Sequence, residues 1–275
     1  MTDYHPPWLS TLPQHPKPAF RAYRQFNKLR NQLDFGPDKH AEQKTQNKRS
    51  LCATKSRLNY GKLNYFSSEK MPDKVARVLG KAQAIDTKEI IESFEFFQRV
   101  RHRISRPVIA DLCCGHGLVG MLFALLERQV EKVYLLDIEF PNSSSKIENL
   151  LQEQWPWVSS KIIRLTRSVK GAEIDLPKDT GCVAVHACGA RTDWALTVAQ
   201  KLNGPIAVMP CCYAHQVYRG PDTLKKHLGV SLCVDIQRTM KLEAGFYNVD
   251  WQEIPPEITP KNRIISASPN LKLLS

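Results

Sequence analysis

The stretch Val108–Glu139 most constrains what this chain can fold into. It begins with a short apolar run, Val108–Leu112, which is rich in β-branched residues and predicts a buried strand rather than a helix. A glycine-containing turn, an apolar helical pattern and a second apolar run ending in Asp137 follow in order. In such a βαβ unit, glycines let the backbone approach a ligand and the helix N-terminus offers free N–H groups. The stretch therefore predicts a nucleotide-type site at the end of its first strand.

The acids around this unit separate two classes of ligand. Gly115, Gly117 and Gly120 satisfy the G-x-G-x-x-G spacing of a dinucleotide site, where a pyrophosphate lies over the glycines. Asp111, however, stands just before the turn, and an anion there suits a cationic ligand better. S-adenosylmethionine (SAM) carries an ammonium and a sulfonium, and an acid after the second strand can accept both hydroxyls of its ribose. The pattern resembles motif I of class I SAM-dependent methyltransferases, with Asp137 similar to their ribose-binding acid.

The rest of the chain alternates strand and helix patterns and ends on a strand–loop–strand pair. After the opening unit, strands are predicted at residues 161–169, 182–187, 205–209, 247–254 and 263–268. This order resembles that of class I methyltransferases, which implies a Rossmann-like α/β fold with a doubly wound, seven-stranded sheet whose last strand is antiparallel. In that arrangement the first, fourth and fifth strands are neighbours. We therefore expect their carboxyl ends to converge on one site.

Charge divides the chain into two predicted regions. The net charge is +12, from 39 Lys and Arg against 27 Asp and Glu, and the excess lies in the N-terminal two-fifths. Helices are predicted there at residues 19–35, 74–81 and 86–102, and the run Arg99–Arg106 is strongly basic. We predict a basic, mostly helical extension over residues 1–106 and a SAM-dependent methyltransferase domain over residues 107–275. A basic extension beside a catalytic core favours RNA as a partner, although the same charge also suits a solubilising surface.

The composition also bears on location. No apolar run approaches the length of a membrane span, and the N-terminus lacks the basic-then-apolar pattern of a signal peptide. Four of the eight cysteines form two pairs of sequence neighbours, Cys113–Cys114 and Cys211–Cys212. This arrangement fits free thiols better than disulfides. We therefore expect a cytoplasmic protein without a membrane partner.

Cysteines and histidines crowd the predicted strand ends, and three explanations compete for them. In methyl transfer to oxygen, His186 would orient or deprotonate the acceptor. In cytosine-carbon methylation, a thiolate pair is needed, for which Cys188 with Cys211 or Cys212 are the candidates. The paired C-x-x-C spacing of common zinc sites is absent, so no metal is predicted. Any single cysteine could also simply fill a tight sheet end.

Two further motifs make the resemblance more specific. His186-Ala-Cys188-Gly189 and Cys211-Cys212-Tyr213 are similar to the H-x-C-G and C-C-Y motifs of a class I subgroup that includes methyltransferase-like proteins and tRNA 2′-O-methyltransferases. Segments 70–74 and 259–263 also resemble that subgroup, whereas its Cys/His zinc modules are absent here. The resemblance implies a methyltransferase acting on tRNA or rRNA, at a 2′-oxygen or a base.

The predicted site follows from these motifs. The predicted SAM-binding residues are Asp111, Cys113, Gly115, Gly117, Asp137 and Cys188. The predicted catalytic and acceptor-side residues are His186, Cys211, Tyr213 and His215. For the adenine, Glu173 or Asp175 are candidates. Two other functions stay open: a small-molecule or protein methyltransferase whose basic extension is a lid, and a catalytically silent SAM-fold binding protein.

Overall fold

The computed structural model describes residues 56–213, 218–256 and 258–270, and these contain a seven-stranded sheet and its covering helices. The strands are β1 (Val108–Leu112), β2 (Lys132–Asp137), β3 (Ile162–Thr166), β4 (Gly181–Val185), β5 (Ile206–Met209), β6 (Tyr247–Glu253) and β7 (Arg263–Pro269). The helices are α1 (Met71–Lys81), α2 (Thr87–Ile104), α3 (Leu118–Leu126), α4 (Asn142–Gln154), α5 (Ala190–Leu202) and α6 (Asp222–Ala244).

The strand order confirms the predicted fold class. It is β3-β2-β1-β4-β5-β7-β6, with β1 to β5 parallel and β7 antiparallel to both β5 and β6. From β1 the chain winds outward through β2 and β3, and then returns to the other side of β1 as β4. Open sheets of this kind bind ligands at the carboxyl ends of the strands where the winding reverses. The carboxyl ends of β1, β2 and β4 are therefore where a site is expected.

Alternating residues of the central strands face two different layers of helices. On β1, Ile109 belongs to one hydrophobic cluster and Ala110 to the other, and on β4 the same holds for Val183 and Ala184. The first cluster includes side chains from α1, α2, α3 and α4, whereas the second includes side chains from α5 and α6. Because successive side chains of a strand point to opposite faces, the sheet forms the middle of three layers.

The predicted helices just before β1 are present and belong to the same core as the sheet. Leu79 of α1 and Phe94 and Phe97 of α2 are buried in the first cluster. Arg99 also joins α2 to the sheet, because its Nε donates to the Glu253 carbonyl on β6, while its Nη1 forms a buried ion pair with Glu95 within the helix. The predicted helix at residues 19–35 lies outside the described residues. The domain division at residue 106 stays a prediction, although α1 and α2 pack directly on the sheet.

The basic run at the end of α2 does not form a free positive patch. Arg101 pairs with Glu127, Arg103 with Asp250 and Arg106 with Asp179. These pairs join α2 and the residues after it to the end of α3, to β6 and to the loop before β4. The positive charge of the basic run Arg99–Arg106 is therefore largely neutralised within the fold.

The last helix, α6, is bent. The sequence pattern predicts two helices, at residues 223–228 and 231–244, and the structure joins them through a kink at Gly229, whose φ is +76°. Among the helices of the described residues, none has both the length and the apolar composition needed to cross a membrane.

Candidate functional site

The loop between β1 and α3 is held by two carboxylates. Asp111, near the end of β1, accepts a hydrogen bond at Oδ2 from the Gly120 N–H, at 2.8 Å. Asp137, at the end of β2, accepts one at Oδ2 from the Gly115 N–H, at 2.8 Å, and another at Oδ1 from the Ile138 N–H, at 2.7 Å. The two acids predicted to bind a cofactor therefore also determine the shape of the loop.

Asp111 is poorly solvated, and this changes its chemistry. Its exposure is 2%. Burial raises the pKa of Asp111 to about 7, while the Gly120 N–H favours the ionised form and Asp137 opposes it. A positive ligand group beside this carboxyl would favour ionisation. The position therefore suits a cation such as an ammonium group.

Two glycines of the loop have different roles. Gly115 has φ +54°, and a Cβ built on it would meet no atom within 4 Å, so the backbone faces open space here. Gly117 has φ +77° and precedes α3, and a Cβ there would lie 3.0 Å from the Leu135 side chain. Positive φ favours glycine at both positions. Gly115 lets a ligand approach the loop, whereas Gly117 allows the helix to pack on β2.

A cavity of about 360 Å³ opens over this loop, within the size range of small-molecule sites. Its walls come from α2, from the ends of β1, β2 and β4, and from the start of α5. The lining residues are Lys88, Glu89, Glu92, Ser93, Asp111, Cys113, Cys114, Gly115, His116, Val119, Asp137, Ile138, Val185, His186 and Arg191.

Two non-glycine residues on the cavity wall have left-handed backbone conformations. Cys113 follows β1 and His186 follows β4, and each has φ +59°. Such conformations cost free energy and are concentrated at functional sites. Because β1 and β4 are adjacent, both strained residues lie at the same edge of the sheet.

A hydrogen-bonded pair between α2 and the residue after β4 forms one side of the cavity. His186 Nε2 lies 2.8 Å from Glu92 Oε2, and Lys88 Nζ lies 2.8 Å from the same oxygen. Burial opposes ionisation of Glu92, but His186 and Lys88 outweigh it, so the pKa of Glu92 is lowered. His186 Nδ1 is buried and has no hydrogen-bond partner among the described residues. The imidazole can therefore meet a ligand only from its Nε2 side, where Glu92 lies.

His116 has a structural role within the loop. Its Nδ1 accepts a hydrogen bond from the Leu118 N–H at 3.1 Å, at the start of α3. Burial lowers the pKa of His116, which is consistent with a neutral ring that accepts at Nδ1. His116 therefore supports the helix start while also lining the cavity.

Three thiols meet at the ends of β4 and β5. Cys188 Sγ lies 3.2 Å from Cys211 Sγ, which lies 3.4 Å from Cys212 Sγ. Burial raises the pKa of both Cys188 and Cys211, whereas hydrogen bonds from its neighbours lower the pKa of the exposed Cys212. The increases disfavour Cys188 and Cys211 as the thiolate nucleophile of cytosine-carbon methylation. Cys113, on the cavity wall, is likewise held as a thiol, because burial raises its pKa to about 12.

Tyr213 is anchored away from the cavity. Its hydroxyl donates to Asp235 Oδ2 at 2.8 Å, and the same carboxylate pairs with Arg238 and Arg263. Burial and the Asp235 charge raise the pKa of Tyr213. The hydroxyl thus joins the segment after β5 to α6, and in this position it does not act as a base.

The structure brings most of the predicted site residues to one edge of the sheet. Those on the cavity wall are Asp111, Cys113, Gly115, Asp137 and His186. Those outside its lining are Gly117, Cys188, Cys211 and Tyr213. His215 lies outside the described residues. The roles of all ten stay predictions.

The two adenine candidates are engaged elsewhere. Glu173 pairs with Lys201 at 2.5 Å, and Asp175 pairs with Arg167. Neither is among the residues that line the cavity. Near Asp137, the cavity is lined by the hydrophobic side chain of Ile138, which directly follows Asp137 and is 59% exposed.

Sequence reasoning missed several wall residues. Glu92 and Lys88 were overlooked because they belong to a helix assigned to the extension, and their amphipathic pattern suggests only a packed helix. Arg191 lies in the first turn of α5 and is exposed at the cavity. Ile138 could have been found, because an apolar residue immediately after the acid of β2 is visible in the sequence.

Comparison with known proteins identifies a family for part of the chain. Residues 83–219 match a family model described as a methyltransferase domain, and the match begins before α2. A glutathione S-transferase C-terminal domain-containing protein from Xenopus laevis is 25% identical over 203 residues, which are 60% of this chain and 32% of that protein. The chain thus spans about a third of the length of this relative.

Solved structures with similar folds include two methyltransferases. An rRNA methylase from Streptococcus thermophilus has a TM-score of 0.42 and 12% identity, covering 59% of this chain and 87% of that one. A SAM-dependent methyltransferase from Aquifex aeolicus has a TM-score of 0.41 and 14% identity, covering 72% and 98%. The sheet order itself, and not these overlaps, defines the fold.

The residues present fit SAM. Gly115 leaves open space over the loop, and two carboxylates line it. An ammonium and a pair of ribose hydroxyls are the groups that such acids recognise. SAM supplies an electrophilic methyl group on its sulfonium. Residues 83–219 therefore contain a SAM-dependent methyltransferase domain.

Proposed function

We propose that this chain transfers a methyl group from SAM to RNA, at a 2′-oxygen or a base of tRNA or rRNA. The observation that carries the proposal is the Glu92–His186 pair, which places a hydrogen-bonding group on the wall of the cofactor cavity. The resemblance of the H-x-C-G and C-C-Y motifs to those of tRNA 2′-O-methyltransferases supports RNA. The charge of +12 also supports it. A cytoplasmic location is part of the same proposal and fits the free cysteines of the described residues.

The cofactor end of the cavity is assigned to the loop and its acids. Asp111, Cys113 and Gly115 surround the methionine part, and Asp137 accepts the ribose hydroxyls with its remaining lone pairs. Ile138 offers an apolar surface for the adenine. Gly117 acts indirectly, by letting α3 start close to β2.

The acceptor end is assigned to the pair from α2 and β4. Because His186 Nδ1 is buried, an acceptor hydroxyl or amino group meets the pair at its Nε2 and carboxylate edge. Lys88 holds the Glu92 carboxylate in place, because its Nζ donates to both carboxylate oxygens. The pair orients the acceptor for in-line attack, and such positioning supplies much of the rate in methyl transfer.

Arg191 adds a positive charge at the mouth of the cavity. Its side chain is exposed, and it stands in the first turn of α5. A guanidinium at this place suits a phosphate of the acceptor or the carboxylate of the cofactor. The RNA proposal otherwise depends on the basic residues 1–55, which lie outside the described residues.

The test is a methyl-transfer assay with radiolabelled SAM and the full chain. Total tRNA, rRNA, a protein extract and a small-molecule extract are offered separately, with Asp137→Ala as the variant without cofactor binding. We expect the radiolabelled methyl group to appear in RNA only. Mass spectrometry of nucleosides then identifies the methylated nucleoside. Label confined to proteins or small molecules would contradict the RNA proposal. SAM binding without transfer to any of the four would instead indicate a silent binding protein.

A further inference from the structure

The three thiols at the ends of β4 and β5 form a cluster outside the lining of the cavity. β4 and β5 are adjacent and parallel, with Val185 opposite Met209. Cys188 comes three residues after Val185, and Cys211 comes two residues after Met209, so the register brings both to the same edge. The Sγ atoms of Cys188, Cys211 and Cys212 all lie within 4.8 Å of one another.

These distances suit coordination of one metal ion. Zinc binds thiolate sulfur at about 2.3 Å, so two ligands of a tetrahedral site are about 3.8 Å apart. The two Sγ–Sγ separations of 3.2 Å and 3.4 Å are slightly shorter than that value, and the third pair, Cys188 and Cys212, lies within 4.8 Å. Small rotations of the three cysteine side chains would therefore bring the three Sγ–Sγ distances to the tetrahedral value. Soft thiolate ligands select zinc over the hard cations magnesium and calcium.

The charges nearby also suit such a site. Three thiolates with Zn²⁺ carry one net negative charge, because each thiol loses its proton on binding. The charges of Arg191 and Lys261 act on Cys188 and Cys212 respectively, so two cations offset the charge of the loaded site. Cys212 is exposed, which leaves an entry path for the ion.

We propose that Cys188, Cys211 and Cys212 bind a zinc ion through three thiolates, leaving its fourth position open. Three protein ligands with an open position are the arrangement of catalytic zinc sites, whereas structural sites are closed by four. The site lies beside the SAM cavity, because Cys188 is two residues from His186 on the cavity wall. An open position there would be accessible from the acceptor side of the site.

A disulfide is the competing use of these thiols. Cys188 and Cys211 are close enough for one, but its formation needs an external oxidant and leaves Cys212 without a partner. A metal uses all three sulfurs and needs no oxidant. The two possibilities differ under reducing conditions, where only the metal site persists.

The test measures metal in the full chain purified under reducing conditions without chelators. We expect one zinc ion per chain by elemental mass spectrometry, and thiolate-to-cobalt charge-transfer absorption after replacement by Co²⁺. Cys188→Ser with Cys211→Ser should abolish both signals, whereas Cys233→Ser, a buried cysteine elsewhere on α6, should retain them. Circular dichroism and thermal unfolding check that each variant is folded.

Several outcomes would overturn the site. One is a wild-type chain that takes up no zinc when it is supplied under reducing conditions. Another is zinc content unchanged in the double variant, or a Cys188–Cys211 disulfide that persists with reductant present. If the double variant does not fold, the Co²⁺ spectrum of the wild type decides, since absence of the charge-transfer bands excludes thiolate ligation. Each readout is independent of methyl transfer, so the site can fail while the proposed function stands.

Discussion

Asp111, a predicted cofactor-binding residue, is buried in a way that costs the fold stability. Its folded-state pKa of about 7 lies above the ordinary value of 3.8 because the side chain is buried. A group with a raised pKa contributes stability that is fully present below its unfolded pKa and is lost as pH rises through the folded value. The apo protein should therefore lose stability between pH 4 and 7 through this residue.

Asp111→Asn should reverse that loss. A shift of about 3 pKa units corresponds to roughly 4 kcal/mol, so the variant should gain up to that amount relative to wild type at pH 8 and little at pH 4. It should also bind SAM more weakly, because it cannot provide a negative charge for the ammonium group. Urea unfolding across this pH range and calorimetry with SAM measure the two effects. If the wild type instead became more stable relative to Asp111→Asn as pH rises, the raised pKa of Asp111 would be contradicted.

Glu92 is proposed as a positioning residue, so its effect should appear in turnover and not in cofactor binding. It holds His186 at 2.8 Å and is itself held by Lys88. Removing the carboxylate in Glu92→Ala should lower kcat about 10²-fold, because the acceptor loses its orienting group, while the Kd for SAM should change little. Steady-state kinetics and calorimetry give the two quantities separately.

Glu92→Gln is the matched control for that experiment. Its amide oxygen can still accept from His186 and Lys88, so it should restore most of the turnover. An alanine variant with wild-type kcat, or one that loses SAM binding together with turnover, would show that Glu92 does not act as proposed.

At the scale of elements, the end of α2 is pressed against the start of β4. A Cβ on Gly181 would lie 2.2 Å from the Ile104 carbonyl oxygen and 2.8 Å from the Ile109 side chain. The Ile104 oxygen is a backbone atom of α2, so it cannot give way without moving the helix, whereas the end of the Ile109 side chain can rotate. This close contact positions α2, and with it Glu92, against the sheet.

Gly181→Ala should therefore destabilise the fold by about 1–3 kcal/mol, the usual cost of overpacking a core. Gly61→Ala is the matched control, since its new Cβ would make only an ordinary contact of 3.5 Å with Asn59. Denaturant unfolding of both variants gives the comparison. Equal stability of the two would show that α2 can move away from β4 at no cost.

At the scale of the whole molecule, positive charge is unevenly available. In the described residues, the arginines at and just after the end of α2 are paired with acids of neighbouring segments, one of them on β6. The basic excess that could meet RNA therefore falls mainly to residues 1–55, whereas the described lining of the candidate cavity comes from later residues.

Deleting residues 1–55 should accordingly weaken RNA binding and flatten its salt dependence, because fewer phosphate counterions are released. SAM binding should persist in the shortened chain. Binding isotherms with tRNA at several salt concentrations test this, with Lys226→Gln and Lys241→Gln on α6 as a control for loss of exposed charge elsewhere. Unchanged RNA affinity after the deletion would contradict the role assigned to the extension.

Local patterns in the sequence determined the kind and order of the elements. Strand and helix periodicities are properties of short segments, so the βαβ unit at Val108–Asp137 and the strands that follow it could be predicted without contacts. The same holds for Asp111, Gly115 and Asp137, which flank a turn within one such unit. Where two short helices adjoin, as at Gly229, the pattern could not show whether they join in one bent helix.

Contacts between distant segments were decided only by the tertiary structure. Glu92 meets His186 across 94 residues because α2 packs over the end of β4, and no spacing in the sequence encodes that meeting. The absence of C-x-x-C spacing argued against a metal, yet the register of β4 and β5 brings Cys188 beside Cys211 and Cys212. Tyr213 turns toward Asp235 because α6 supplies a buried carboxylate there. A pattern reports what each segment buries, whereas packing of the sheet and its helices decides which side chains face one another.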